Sequence, residues 1–95
     1  PISYRLVGHS RANRAIGMMQ EVLPPGADTG DDMLSHEGEE CGIVIQGQVE
    51  VTVGEQVHLL APGDGYYFDS RTPHRFRNVG EQEGVLISAN TPASF

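Results

Sequence analysis

His36 and Glu40 stand four positions apart in the segment LSHEGEECGIVIQG, and His74 follows a proline more than thirty residues further on. In an extended backbone, positions an even number apart point to the same side, so His36 and Glu40 share a face if their segment is strand-like. Two imidazoles and a carboxylate are the donor set of open sites for non-haem Fe(II), Mn(II) or Zn(II), which leave positions for water or substrate. The ordinary alternative is a surface histidine, a solvated acid beside Glu37 and Glu39, and a turn histidine after Pro73. The spacing from His36 and Glu40 to Gly47, and the order of the two segments, favour a site. Only a fold that brings distant strands side by side can assemble it.

The elements available to do so are strands. Twelve glycines and six prolines punctuate the 95 residues at the short intervals of an all-β sandwich or barrel. Ser3 to Gly8 and Ala15 to Leu23 read as the first two strands. Pro24-Pro25-Gly26 breaks the chain, because two prolines remove two backbone donors. Ala27 to Leu34, with three aspartates, reads as an exposed, partly mobile loop. Cys41 to Gln46 is strand-like and Gly47 turns it. Val49, Val51 and Val53 then alternate with Glu50 and Thr52, the period of a half-buried strand. Val57 to Leu60 follows, so Cys41 to Leu60 reads as a three-stranded meander. Ala61-Pro62-Gly63-Asp64-Gly65 is the strongest turn signal. Tyr66 to Phe68, His74 to Asn78 and Val85 to Ala89 complete the strands. No helical periodicity persists.

Composition narrows the function classes. The length suits one domain, residues 1–95, with N-terminal strands at 1–23, the motif-bearing part at 34–78 and a last strand and tail at 83–95. Thirteen acids against six bases give a formal charge of −7, a poor match to a nucleic-acid backbone. The lone Cys41 cannot form an internal disulfide, which suits a reducing, cytoplasmic compartment. No apolar run is long enough for a membrane span. Arg71, Arg75 and Arg77 cluster near His74. They read as a solvated strand edge first, and as a patch attracting an acidic ligand second.

The chain resembles the cupin superfamily. LSHEGEECGIVIQG matches the first motif of that family from its second histidine onward, and PGDGYYFDSRTPHRFRN matches the second motif. The resemblance implies a small β-barrel of jelly-roll type, a double-stranded β-helix. It implies a divalent metal (Zn, Fe, Mn or Ni) at His36, Glu40 and His74. It also puts Leu34 where the family has its first histidine, so occupancy stays open. A narrower resemblance, which includes the ending NTPASF, is to the C-terminal sensor domain of bacterial helix-turn-helix regulators of the Xre type. It implies a small-molecule effector, a homodimer, and DNA contact only through a separate N-terminal domain absent from this chain.

Tyr67 and Phe76 are the expected ligand-pocket residues. Phe76 shares a face with His74, and one of the adjacent tyrosines must point inward. Asn78 is expected to hold its turn through backbone hydrogen bonds. Cys41 reads as a small packing residue, and Met18 and Met19 as core and interface filler. No catalytic residue is assigned. Three functions compete: an effector-sensing module, a stand-alone metalloenzyme of dioxygenase or isomerase type, and a structural β-domain without a site. The sensing module is preferred. Apolar strand edges suggest that two copies pair edge to edge.

Overall fold

The computed structural model describes residues 1–30 and 33–93. Asp31 and Asp32 of the acidic loop, and Ser94 and Phe95 of the tail, lie outside the described residues. Eight strands follow one another: β1 (Ser3–Val7), β2 (Gly17–Leu23), β3 (Glu39–Gln46), β4 (Val49–Val53), β5 (Gln56–Leu60), β6 (Gly65–Asp69), β7 (His74–Arg77) and β8 (Gly84–Thr91). They form a five-stranded sheet in the order β1-β2-β8-β3-β6 and a three-stranded sheet in the order β5-β4-β7. All pairings between strands are antiparallel. The expected all-β barrel is therefore present. Among the described residues no helix is long and apolar enough to cross a membrane.

The expected meander from Cys41 to Leu60 is not what forms. β4 and β5 do pair, but β3 belongs to the other sheet, between β8 and β6. The turn at Gly47 carries the chain from one sheet to the other instead of folding it back on itself. A glycine turn marks a change of direction, and the buried alternation of both strands decides where the chain goes next. Val44 points inward from β3, while Val49 and Val51 point inward from β4.

The core lies between the sheets. Leu23, Val44, Phe68 and Leu86 come from the five-stranded sheet, and Val49, Val51 and Phe76 from the three-stranded one. Each such side chain stabilises the fold by about 1.5–3 kcal/mol through removal from water. One buried polar residue ties the far end together. The Asn78 amide donates to the carbonyls of Leu23 and Gln82, both at 2.8 Å, and its oxygen accepts from Gly80 N at 2.9 Å. It thus anchors the end of β7 to the end of β2 and to the loop before β8, as its turn role predicts.

Candidate functional site

Glu40 lies on β3 and points between the sheets, sharing the inward parity of Val44. The segment before it does not continue as a strand. His36 sits in an irregular stretch that bends at Glu37-Gly38, where Gly38 has φ +103°, a conformation L side chains rarely adopt. A side chain on Gly38 would also strike the Thr91 carbonyl oxygen. His36 therefore reaches the Glu40 carboxylate through a bend and not through strand periodicity. Backbone bonds fix the approach: Leu34 and His74 exchange N–H···O bonds at 2.8 and 2.9 Å, His36 N donates to Ser70 O at 2.9 Å, and Ser70 N donates to Gly38 O at 2.8 Å.

The three predicted metal-site residues come together. One ligand atom from each of His36, Glu40 and His74 lies within 4.8 Å of the other two. Glu40 Oε1 is 3.5 Å from His36 Nε2 and 3.2 Å from His74 Nε2. The imidazoles meet edge to face with centroids 5.2 Å apart, and Phe68 packs 4.8 Å from the His74 ring. The site spans the sandwich, because Glu40 belongs to one sheet and His74 to the other.

His74 is the informative member, being only 1 % exposed. Its Nδ1 lies 2.8 Å from the Thr72 carbonyl oxygen, which can only accept, so Nδ1 carries the proton in the neutral ring. That leaves the Nε2 lone pair facing the cavity. Nε2 is buried and makes no hydrogen bond of good geometry, although the Glu40 carboxylate is close. A lone pair and a carboxylate oxygen at 3.2 Å repel unless a cation, H⁺ or metal, stands between them. Burial alone would lower the His74 pKa, but the Glu40 carboxylate and the Thr72 carbonyl outweigh it and the net shift is upward. A histidine whose second nitrogen is held by a backbone carbonyl is also the arrangement seen in metal-ligating imidazoles. The donor set and this orientation fit a divalent metal.

The triad opens into a cavity of about 120 Å³ that Glu21, Leu34, Phe76 and Ser88 also line. Phe76 is thus in the pocket wall, as its parity with His74 indicates. The structure does not bring Tyr67 to this cavity. Its side chain is on the outer face of the sheet, 69 % exposed, and its hydroxyl donates to Glu39 at 2.8 Å. Tyr66 is the inward tyrosine: it shares parity with buried Phe68, and its ring lies so close over Gly42 that a Cβ there would come within 2.5 Å of its hydroxyl.

Glu21 is the residue that the sequence reading missed. It projects inward from β2, is 7 % exposed, and accepts a 2.8 Å hydrogen bond from the Ser88 hydroxyl. Burial raises its pKa to about 7, the nearby Glu40 charge adds to this, and the Ser88 bond opposes it. Its signal was visible: Glu21 has the parity of Met19 and Leu23, an acid on the apolar side of a strand. The arginine cluster is engaged elsewhere. Arg75 pairs with Asp28, Arg77 with Glu50 at 3.0 Å and Arg71 with Asp69 at 3.4 Å. None of the three lines the cavity, so the structural account of the cluster is the ion-paired strand edge.

Comparison with known proteins agrees with the fold. A family model described as a cupin domain matches residues 19–90. The HTH-type transcriptional regulator PuuR of Escherichia coli (strain K12) is 35% identical over 94 residues, covering 99% of this chain and 50% of that protein. The chain thus spans about half the length of this relative. An uncharacterized protein of Streptomyces coelicolor is 29% identical over 72% of the chain and 65% of its own length. Among solved structures, the cupin domain of an XRE family transcriptional regulator from Enterobacter cloacae superposes with a TM-score of 0.83 at 22% identity, covering 95% of both chains. An RmlC-like cupin from Shewanella frigidimarina gives 0.83 at 19% identity, covering 98% of this chain and 78% of that one. At these identities the structural neighbours establish the fold alone.

Proposed function

This chain belongs to the cupin domain family, and from that premise we propose that it is the effector-sensing part of a bacterial helix-turn-helix transcriptional regulator. A small molecule enters the cavity beside His36, Glu40 and His74, and its binding shifts the equilibrium of a DNA-binding domain carried elsewhere in the longer, cytoplasmic protein. The observation that carries this reading is the 35% identity to PuuR across 99% of the chain, together with the half of PuuR that the match leaves over. An acidic chain is suited to leaving DNA contact to another domain.

The triad supports a divalent cation, zinc, iron, manganese or nickel, as part of the effector site. Such an ion would act as a Lewis acid that orients an oxygen or nitrogen of the effector. His74 would hold it through the cavity-facing Nε2, Glu40 through Oε1, and the half-exposed His36 would complete the set. Leu34 contributes no donor at the fourth place, which leaves room for a ligand atom.

Two measurements test the reading. The coding sequence upstream of Pro1 should encode a helix-turn-helix domain; a reading frame that begins at this chain overturns the regulator assignment. Calorimetric titration of the chelator-treated chain with zinc or nickel should give one site, weakened at least about tenfold by His74→Ala. Titration without heat or saturation for either metal removes the ion from the proposal while leaving the cavity as an effector site.

A further inference from the structure

β6 ends the five-stranded sheet and β5 ends the three-stranded one, and among the described residues no strand pairing joins these two edges. The sandwich is therefore open along this flank. Residues directly opposite one another in an antiparallel pair share a face. Gln56, His58 and Leu60 stand opposite Val53, Val51 and Val49, so they carry the inward parity of the core. Gln56 and His58 are nevertheless exposed, because the side they face is the open flank and not a filled interior. Between the two edges lies a cleft of about 320 Å³. Its floor reaches the core residues Val51 and Phe68, 2 % and 9 % exposed, and its lip carries Gln56 and His58. It shares no lining residue with the cavity of the triad. An aromatic partition stands between the two: Tyr66 and Phe68 line the cleft, Phe76 lines the cavity, and the Phe76 centroid is 5.4 Å from Tyr66 and 6.4 Å from Phe68.

We propose that this cleft is a second small-molecule site, separate from the triad, and that its ligand is an uncharged planar aromatic molecule bearing one hydrogen-bonding group. Size, charge and ring geometry each narrow the occupant. Small-molecule sites run from roughly 300 to 1,000 Å³ and are mostly apolar with a few converging polar groups. The cleft falls in that range, and the 120 Å³ cavity of the triad falls below it. None of the described residues lining the cleft carries a carboxylate, an ammonium or a guanidinium. A charged ligand would give up its hydration there without gaining a partner. The formal −7 of the chain works further against an anion. The aromatic character follows from Tyr66 and Phe68, whose rings stack with centroids 5.6 Å apart and planes 25° apart in the cleft wall. A flat ring laid against them gains stacking beyond its buried area. The hydrogen-bonding group meets the lip. His58 Nε2 and Gln56 Oε1 lie 3.4 Å apart at an exposed edge, a contact long enough to yield to a ligand hydroxyl or ring N–H.

Titration of the ¹⁵N-labelled chain with indole, followed by amide chemical shifts, tests the proposal. Benzylamine and benzoate serve as cationic and anionic probes of similar ring size. Indole is expected to shift amides of β4, β5 and β6 around the cleft, saturably, with a dissociation constant on the order of 1 mM or tighter. The two charged probes should bind at least about tenfold more weakly. Leu60→Trp places a ring of the protein's own in the cleft and should weaken indole at least about tenfold. His58→Ala removes an exposed side chain on which the core does not rest, and should weaken indole about threefold or more. Val57→Ala alters the opposite side of the same strand and should leave binding unchanged. If Leu60→Trp does not fold, His58→Ala decides. No saturable shift up to the solubility of indole overturns the proposal. So do shifts centred on Glu21 and Ser88 in place of the cleft, a charged probe that binds as tightly as indole, or a folded His58→Ala variant that binds indole as the native chain does.

Discussion

At the scale of single residues, the cavity is defined by groups whose burial conflicts with their chemistry. Glu21 is the clearest. A carboxyl with a higher pKa in the folded than in the unfolded chain takes up a proton on folding, so its contribution to stability falls as pH rises from about 4.5 towards about 7. A shift of this size corresponds to roughly 3 kcal/mol across that window. Glu21→Gln should therefore flatten the pH dependence of urea unfolding between pH 5 and 7 in chelator-treated protein, and should stabilise the chain at pH 8. An unchanged slope would mean that the carboxyl is not desolvated. Gly42 gives a steric counterpart. Because the Tyr66 ring occupies the space of its missing Cβ, Gly42→Ala should cost about 1–3 kcal/mol in the same unfolding assay. The sequence revealed His36, Glu40 and His74 because their types and spacing are unusual. Glu21 carried a weaker signal, its parity with Met19 and Leu23, and one acid in an apolar strand reads as a solvated exception until the burial of that face is known. The choice between Tyr66 and Tyr67 failed for the same reason: Phe68 sets the inward parity, and only its burial reveals it.

At the scale of elements, strand existence and the local pairing of β4 with β5 were legible, and the remaining partnerships were not. Glycines and prolines delimit all eight strands closely, yet the turn at Gly47 looks the same whether it closes a hairpin or moves the chain to another sheet. Pairing such as β2 with β8 joins residues more than sixty positions apart, from Leu23 with Gly84 to Gly17 with Asn90, and nothing local specifies it. Asn78 is what holds one such long-range junction in place, through three backbone partners at 1 % exposure. Asn78→Leu should leave the Leu23 and Gln82 carbonyls and the Gly80 amide without that partner. A destabilisation of about 2–4 kcal/mol is expected in denaturant midpoints, because buried polar groups left unpaired lose their full desolvation cost. A loss below about 1 kcal/mol would show that water replaces the side chain.

At the scale of the molecule, the site and the fold are one mechanical unit. Glu40 stands on the five-stranded sheet, His74 on the three-stranded sheet, and His36 on the segment stitched to both. A cation held by all three cross-links the layers, so occupancy should report on global stability. At a hundredfold excess over its dissociation constant, zinc should stabilise the native state by about 2.7 kcal/mol. The melting temperature should rise on zinc addition, fall back with chelator, and fail to respond in His74→Ala. By the same geometry, an effector bound as proposed in the 120 Å³ cavity would touch both layers at once and be felt throughout the domain.

Leu34 carries a last consequence. Its backbone is clamped to that of His74 by a reciprocal pair of hydrogen bonds, and its side chain lines the cavity. The position is thus held ready whatever side chain it bears. Leucine and histidine codons can differ by a single base, so a third imidazole, and with it a fourth donor, lies one mutational step away on a backbone already held beside His74. Adding a donor to this cavity would ask for one new side chain and not for a new fold.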